Sequence, residues 1–473
     1  MGVVLSYSLP LLFLTLCATA NLLIPAVNGE VDCMKSKVDC TKSKVPCPKS
    51  KKSTLLIVFG DSFFDVGYGS NELCLPSSFQ PYGKSLDPAA PTGRFSDGLV
   101  VPDYIAKYLH LADDEGKVAA YKRCLDIQET LQGQCKGCAS LSFAMAGAGV
   151  TLSAHKSKSL TDQVQIFINN SPKLFVDYGA KFVDERDQTL YLFSIGTYDY
   201  LSNLQNIKNE QDVQEKAEEV TAAIVKQVKE IAERQGVNGK RFAFMSVALR
   251  YLPVVQKAYY KDQSRLNLLD ELENTHCSKL EEKLAKLAQE RKATCQGCII
   301  DYSILKYHRI IRAIMEAPES YGFDETTVML SCYGDGFYHA DDCGHSDERG
   351  CNCGHSDKRG CDFGHSNKRG CDCGHSDKRG CDFGHSNKRG CDCGHSDKRG
   401  CDCGHSDKRG CNDPSAYVFW DGMHNTQRIN QKIAQFFWNG PKSMTAPQNL
   451  QTLAGTQKPQ FDFSVNANEL IRI

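Results

Sequence analysis

Two short stretches near opposite ends of the chain carry the residue types needed for nucleophilic catalysis. The first is Phe59-Gly60-Asp61-Ser62, directly after the apolar run Leu55–Phe59. If that run is a parallel strand, Ser62 sits at its carboxyl end, where α/β sheets place their ligands. The second is Val418-Phe419-Trp420-Asp421-Gly422-Met423-His424, with an Asp three residues before a His. That spacing lets both side chains project from one loop or first helical turn. A serine hydroxyl is a weak nucleophile until a base takes its proton, and an imidazole serves best when its second nitrogen is held by a partner. His424 could deprotonate Ser62 while Asp421 fixes the imidazole tautomer, or a backbone carbonyl could take the orienting role. An isolated Gly-Asp-Ser serine serves equally well as a helix N-cap, so the distant Asp421 and His424 are what give it chemical meaning. No Gly-x-Ser-x-Gly occurs, which disfavours the nucleophile elbow of α/β-hydrolases. The repeated Gly-His-Ser between residues 344 and 406 lacks the closing Gly and is read as non-catalytic.

The elements that must position these residues alternate. Thr54–Phe59, Thr189–Ile195, Arg241–Val247 and Cys298–Tyr302 are short apolar runs of strand type. Between them, Glu210–Gln235 and Leu266–Glu290 have helical periodicity and are rich in Glu, Lys, Ala and Leu. Strands separated by helices imply an α/β fold with a parallel sheet covered on both faces. Length alone would suggest two or three domains for 473 residues. The composition suggests one, because several segments are foreign to the rest.

Residues 1–29 read as a secretory signal peptide, with the apolar run Leu9–Cys17 followed by small residues and cleavage expected after about Ala20 or Gly29. Residues 30–53 form a lysine-rich arm in which Cys33, Cys40 and Cys47 recur at seven-residue spacing, a candidate contact for polyanions or cell-wall polymers. Residues 343–410 are a ten-residue Cys-Gly-His-Ser repeat without aliphatic side chains, a low-complexity insertion that cannot bury a core. Disulfide linkage, disorder and metal binding all remain open for it. The α/β domain is then expected at 54–342 and 411–445, with a tail at 446–473. A formal net charge of −1, from 56 Lys+Arg and 57 Asp+Glu, argues against nucleic-acid binding, and 41% hydrophobic residues exclude wholesale disorder.

Five ordered blocks make a resemblance specific. FGDSFFDVG (59–67), GRFSDGLVVPDYIAKYL (93–109), SFAMAGAG (142–149), FSIGTYDY (193–200) and VFWDGMHNT (418–426) resemble the plant GDSL esterase/lipase branch of the SGNH hydrolases. The resemblance covers about residues 54–334 and 411–440. It implies a flavodoxin-like three-layer α/β/α fold and hydrolysis or acyl transfer at an ester by a serine nucleophile, secreted, without cofactor or metal. The partner is expected to be a small acyl ester or lipid; oligomeric state is left open. Carried over by position, Ser62 is the nucleophile, His424 the base and Asp421 its partner, with the backbone N–H groups of Ser62 and Gly147 facing the oxyanion. Two departures stand out. Tyr198 occupies the place of the family's oxyanion Asn, and Ser142 stands where the glycine block often has Asn. The sequence therefore leaves two classes open: an ester hydrolase with a weakened oxyanion hole, or a pseudoenzyme that keeps the fold as a binding module.

The cysteines divide accordingly. Twelve of the 24 lie between Cys343 and Cys411. Cys135-x-x-Cys138 and Cys295-x-x-Cys298 read as disulfides or surface thiols in preference to one four-thiolate zinc site. A Cys332–Cys411 bridge would close the insertion at its base. Asn169-Asn170-Ser171 is the sole N-glycosylation sequon, just ahead of Pro172.

Overall fold

The computed structural model describes residues 55–68, 75–112, 116–121, 140–150, 153–154, 157–177, 188–333 and 411–455. The signal segment, the lysine arm, the Cys135/Cys138 pair, the decapeptide repeat and the chain beyond residue 455 lie outside the described residues.

Seven strands form one sheet: β1 (Leu56–Gly60), β2 (Ala119–Ala120), β3 (Ser140–Ser142), β4 (Leu190–Ser194), β5 (Arg241–Met245), β6 (Asp301–Leu305) and β7 (Thr445–Ala446). Their spatial order is β2-β3-β1-β4-β5-β6-β7. Every neighbouring pair is parallel except β6 with β7. The order β3-β1-β4-β5-β6 is that of a doubly wound, flavodoxin-like sheet, whose direction of winding reverses beside β1. The Asp61-Ser62 turn follows β1 directly at this switch point. β1 and β4 are buried at every position, as strands covered on both faces must be. Register is locked by aromatic stacking across strands, Phe59 on Phe193 and Phe193 on Phe244, each at 5.1 Å between ring centroids.

The helices follow from periodicity and caps. In the helix α4 (Glu210–Glu233), Val213, Ala217, Val220, Ile224, Val228 and Ile231 recur every three or four residues and are all buried. Its start is fixed by a capping box, Asn209 Oδ1 accepting from Asp212 N at 3.0 Å while Asp212 accepts from Asn209 N at 3.2 Å. The helix α6 (Gln263–Thr294) buries Leu266, Leu269, Leu280, Leu284 and Leu287, each contributing about 2 kcal/mol by removal from water. It packs along α4, while α2 (Leu160–Asp177) also meets α4, and α1 (Val101–Tyr108) packs on α8 (Gln427–Asn439). Among the described residues the further helices are α3 (Thr197–Leu201), α5 (Pro253–Tyr259), α7 (Tyr307–Glu316) and α9 (Leu450–Ala454).

Two expectations are corrected. The last parallel strand runs from Asp301, not Cys298, because Cys295 and Cys298 close a tight turn between α6 and the strand with Cα atoms 5.4 Å apart. The domain also continues past residue 445. Ala446 pairs with Ile304, and α9 beyond it buries Leu450 and Leu453, so the first ten residues of the expected tail belong to the fold. Cys332 and Cys411 lie at disulfide distance, Cα to Cα 4.9 Å, across the base of the insertion. Asn169 lies within α2, exposed, whereas the Ser171 hydroxyl of its sequon is buried and donates to Ile168 O.

Candidate active site

The end of β1 is held by a clamp that the sequence did not announce. Gln163 of α2 accepts from Gly60 N at 2.9 Å and donates to Gly60 O at 2.8 Å. Gly60 is required there, since a Cβ would come within 2.2 Å of Ser194 O on β4. The chain then turns sharply: Asp61 N donates to Ser194 O, and Asp61 O accepts from Phe64 N and Asp65 N. Asp61, Phe63, Phe64 and Asp65 are buried while Ser62 is part-exposed, so the turn presents one hydroxyl.

That hydroxyl meets the distant loop. His424 Nε2 is 2.7 Å from Ser62 Oγ, and His424 Nδ1 is 2.8 and 2.9 Å from the two oxygens of Asp421. With Nδ1 donating to the carboxylate, Nε2 is free to accept the serine proton. Phe95 and Phe63 flank the imidazole at 4.7 and 5.4 Å. Asp421 is buried and also accepts from Met423 N and His424 N, both at 2.8 Å, and from the Tyr82 hydroxyl at 2.7 Å. Burial pushes its carboxyl up, but His424 and these donors outweigh it and hold the carboxyl below its ordinary value.

Two backbone donors are found in the serine turn and the glycine block. Among the described residues, neither Ser62 N–H nor Gly147 N–H has a hydrogen-bond partner. The peptide carrying Gly147 N–H is fixed from both ends: Ala146 N donates to Asp65 Oδ2 at 2.8 Å, and Ala146 O accepts from Ser157 Oγ at 2.5 Å. Gly147 has a φ of +74°, and a Cβ there would sit 2.8 Å from Ala154 Cβ. Met145 N donates to Gly60 O, bringing this loop against the serine turn. Such donors could receive a tetrahedral oxyanion.

Tyr198 lies in the first turn of α3, just after β4, and is part-exposed. Its hydroxyl makes no hydrogen bond among the described residues. The neighbouring Asp199 accepts from Val150 N at 2.9 Å and ties this turn to the glycine block. Burial pushes Asp199 up to about 6, and pushes Asp61 up to about 7 with Asp199 adding repulsion. Ser142 does not reach the site: buried at the end of β3, its hydroxyl donates to Phe64 O and accepts from Ala144 N. Trp420 and Phe419 are fully buried, as core residues. Among the described residues no group of three or more His, Cys, Asp or Glu is placed to hold a metal.

Sequence reasoning missed Gln163, Asp65, Ser157 and Tyr82. The contacts that tie Asp65 to Ala146, Ser157 to Ala146 and Tyr82 to Asp421 join residues well separated in sequence, so nothing in their spacing betrays them.

A model of the GDSL-like lipase/acylhydrolase family matches residues 56–437. The chain belongs to that family. Its similarity to individual relatives is modest but long. It is 25% identical over 408 residues to a GDSL esterase/lipase of Arabidopsis thaliana, covering 85% of this chain and 88% of the relative. It is 24% identical over 412 residues to a GDSL lipase of Tanacetum cinerariifolium, with the same coverage. It is also 25% identical over 404 residues to an Arabidopsis thaliana protein named inactive GDSL esterase/lipase-like protein 25, covering 84% and 74%. GDSL family membership thus carries hydrolase ancestry and includes relatives named as inactive.

Proposed function

We propose that this GDSL family member is a secreted serine hydrolase of carboxylic esters, acting on a small acyl ester or lipid. The observation that carries this is the continuous relay from Asp421 through His424 to Ser62 Oγ, at 2.8 and 2.7 Å, beside two unpaired N–H groups. In this reading Ser62 Oγ attacks the ester carbonyl carbon as His424 Nε2 takes its proton. Negative charge on the former carbonyl oxygen meets Ser62 N–H and Gly147 N–H. The tetrahedral adduct collapses, His424 gives its proton to the departing alcohol oxygen, and the acyl group remains on Ser62. Water, deprotonated by His424, repeats the attack and releases the acid; a second alcohol in place of water gives acyl transfer. Tyr198 leaves the third donor position without an amide. Loss of one such donor costs about 10²–10³ in rate, so the enzyme is slow for its family.

Secretion rests on residues 1–29, and the lysine arm at 30–53 suits a polyanionic surface in that compartment. No helix of the described residues is long and apolar enough to cross a membrane.

Tyr198, together with relatives named inactive, favours a second reading in which the fold serves as a binding module. Hydrolysis of short-chain p-nitrophenyl esters by the purified full chain, beside Ser62→Ala, decides between them. The enzyme reading expects Ser62→Ala to lower kcat/KM by about 10³ or more; equal rates in the two proteins would overturn it.

A further inference from the structure

Tyr82 belongs to none of the motif residues assigned above, yet it touches the carboxylate at the far end of the relay. Its side chain is 1% exposed, and its hydroxyl donates to Asp421 Oδ2 at 2.7 Å. The two Asp421 oxygens are not equivalent. Oδ1 is held by two backbone donors, Met423 N and His424 N, in addition to the imidazole. Oδ2 has the imidazole and the phenol. Without the phenol, one face of a buried carboxylate would lose its second donor, and the carboxylate could rotate about the bond that the backbone donors leave free.

The ring of Tyr82 is itself walled in. Phe95, Tyr333 and Trp420 pack edge-on around it with centroids 5.9, 5.7 and 5.9 Å away. Tyr333 stacks on Trp420 at 5.6 Å, and Phe95 also packs on His424. The backbone follows the same plan: Tyr333 N donates to Trp420 O at 2.7 Å and Cys332 N to Phe419 O at 3.0 Å. Lys84, two residues after Tyr82, donates to Cys411 O. A phenol this constrained is held with its hydroxyl on Asp421 Oδ2.

We propose that Tyr82 is a positioning residue for the Asp421–His424 pair, setting both the rotation of the carboxylate and the pair's hold on a proton. The catalytic meaning of this role rests on the reading of Ser62 given above. Among the described residues, His424 and Tyr82 are the titratable groups that bear on Asp421, and Phe95, Tyr333 and Trp420 close the space behind the phenol. A donor on a carboxylate favours its charged form. Removing it makes the pair bind its proton more tightly, so the base becomes available only at higher pH.

The test is Tyr82→Phe, which keeps the ring and its packing and removes one oxygen. We expect kcat to fall about tenfold with KM unchanged, and the acid limb of the kcat/KM profile to move up by about half a pH unit. The melting temperature should stay close to that of the parent, whereas Tyr82→Leu should lower it by removing the ring. A Tyr82→Phe pH profile superimposable on the parent's, or a loss confined to KM, would overturn the proposal. A second readout needs no turnover. In full chain labelled with 15N-histidine, the titration of the Asp421–His424 pair, assigned by its absence in His424→Gln, should move to higher pH in Tyr82→Phe. An unmoved titration contradicts the role of Tyr82. An inert parent whose titration nevertheless moves would overturn the esterase reading and leave the positioning contact standing.

Discussion

The two sides of Ser62 are built to different standards. On the relay side every side-chain polar atom of Asp421 and His424 has a partner: Asp421 takes donors from His424, Met423 and Tyr82, and His424 lies between Phe63 and Phe95 with its second nitrogen on Ser62 Oγ. On the proposed oxyanion side the Ala146–Gly147 segment is held by contacts from Asp65 and Ser157, but the third position of the proposal falls to Tyr198, whose hydroxyl makes no hydrogen bond among the described residues. The relay would be an expensive arrangement to keep without a use, because it buries a carboxylate and an imidazole together. On the proposed oxyanion side, Tyr198 stands where the resemblance would place an Asn. If the proposed roles hold, the contrast teaches that nucleophile activation and transition-state stabilisation are separable, with Tyr198 bearing on the second alone.

Three changes sharpen or break that contrast, beginning with the largest. Asp421→Asn leaves the loop geometry but presents the wrong group to His424 Nδ1, and should lower kcat by about 10⁴ at the pH optimum. A loss under tenfold, measured by ester hydrolysis, would show that the relay is not in use. Tyr198→Asn restores an amide donor on the weak side and should raise kcat by up to about 10²–10³, with little change in KM. A rise from a measurable parent rate fits the enzyme reading; a rise from an inert parent would favour a binding module that lost its chemistry at this residue; no rise would mean that the hole does not need the amide.

The smallest effect is on stability and concerns the floor of the site. Burial pushes the Asp61 carboxyl from its ordinary 3.8 up to about 7, so the folded chain binds that proton more tightly than the unfolded one. The stability linked to Asp61 is therefore fully present below about pH 4 and is lost as pH rises through about 7. Buried His276 and His308, whose pKa values are lowered to about 4 and 3 by burial, act in the opposite sense below pH 6.5. Comparing Asp61→Asn with the parent isolates the carboxyl. The variant should gain roughly 2–3 kcal/mol relative to the parent between pH 5 and 8. Thermal melts that show a pH-independent difference would contradict the buried, proton-binding Asp61.

Ser62, Asp421 and His424 stood out in the sequence because they sit in short motifs, and the structure brings their side chains within hydrogen-bond distance; the roles given to them and to Gly147 are the proposal. The supports did not stand out. Tyr82 reaches Asp421 across 339 positions, and Gln163 reaches Gly60 across 103, distances over which no local pattern carries information. The strand boundaries erred where tertiary pairing overrode local composition. Cys298–Ile300 is apolar enough for a strand, but the Cys295–Cys298 turn delays pairing to Asp301, which lies opposite Arg241. Thr445–Ala446 carries no strand signal of its own and pairs only because β6 offers it an open edge.

The central claim, that Ser62 is an activated nucleophile, is tested most directly by fluorophosphonate labelling of the full chain followed by peptide mass spectrometry. The account predicts a stoichiometric adduct on Ser62 in the parent, none on that peptide in Ser62→Ala, and slower labelling in Asp421→Asn. A parent protein that stays unlabelled, or a label that persists undiminished in Ser62→Ala, would contradict it.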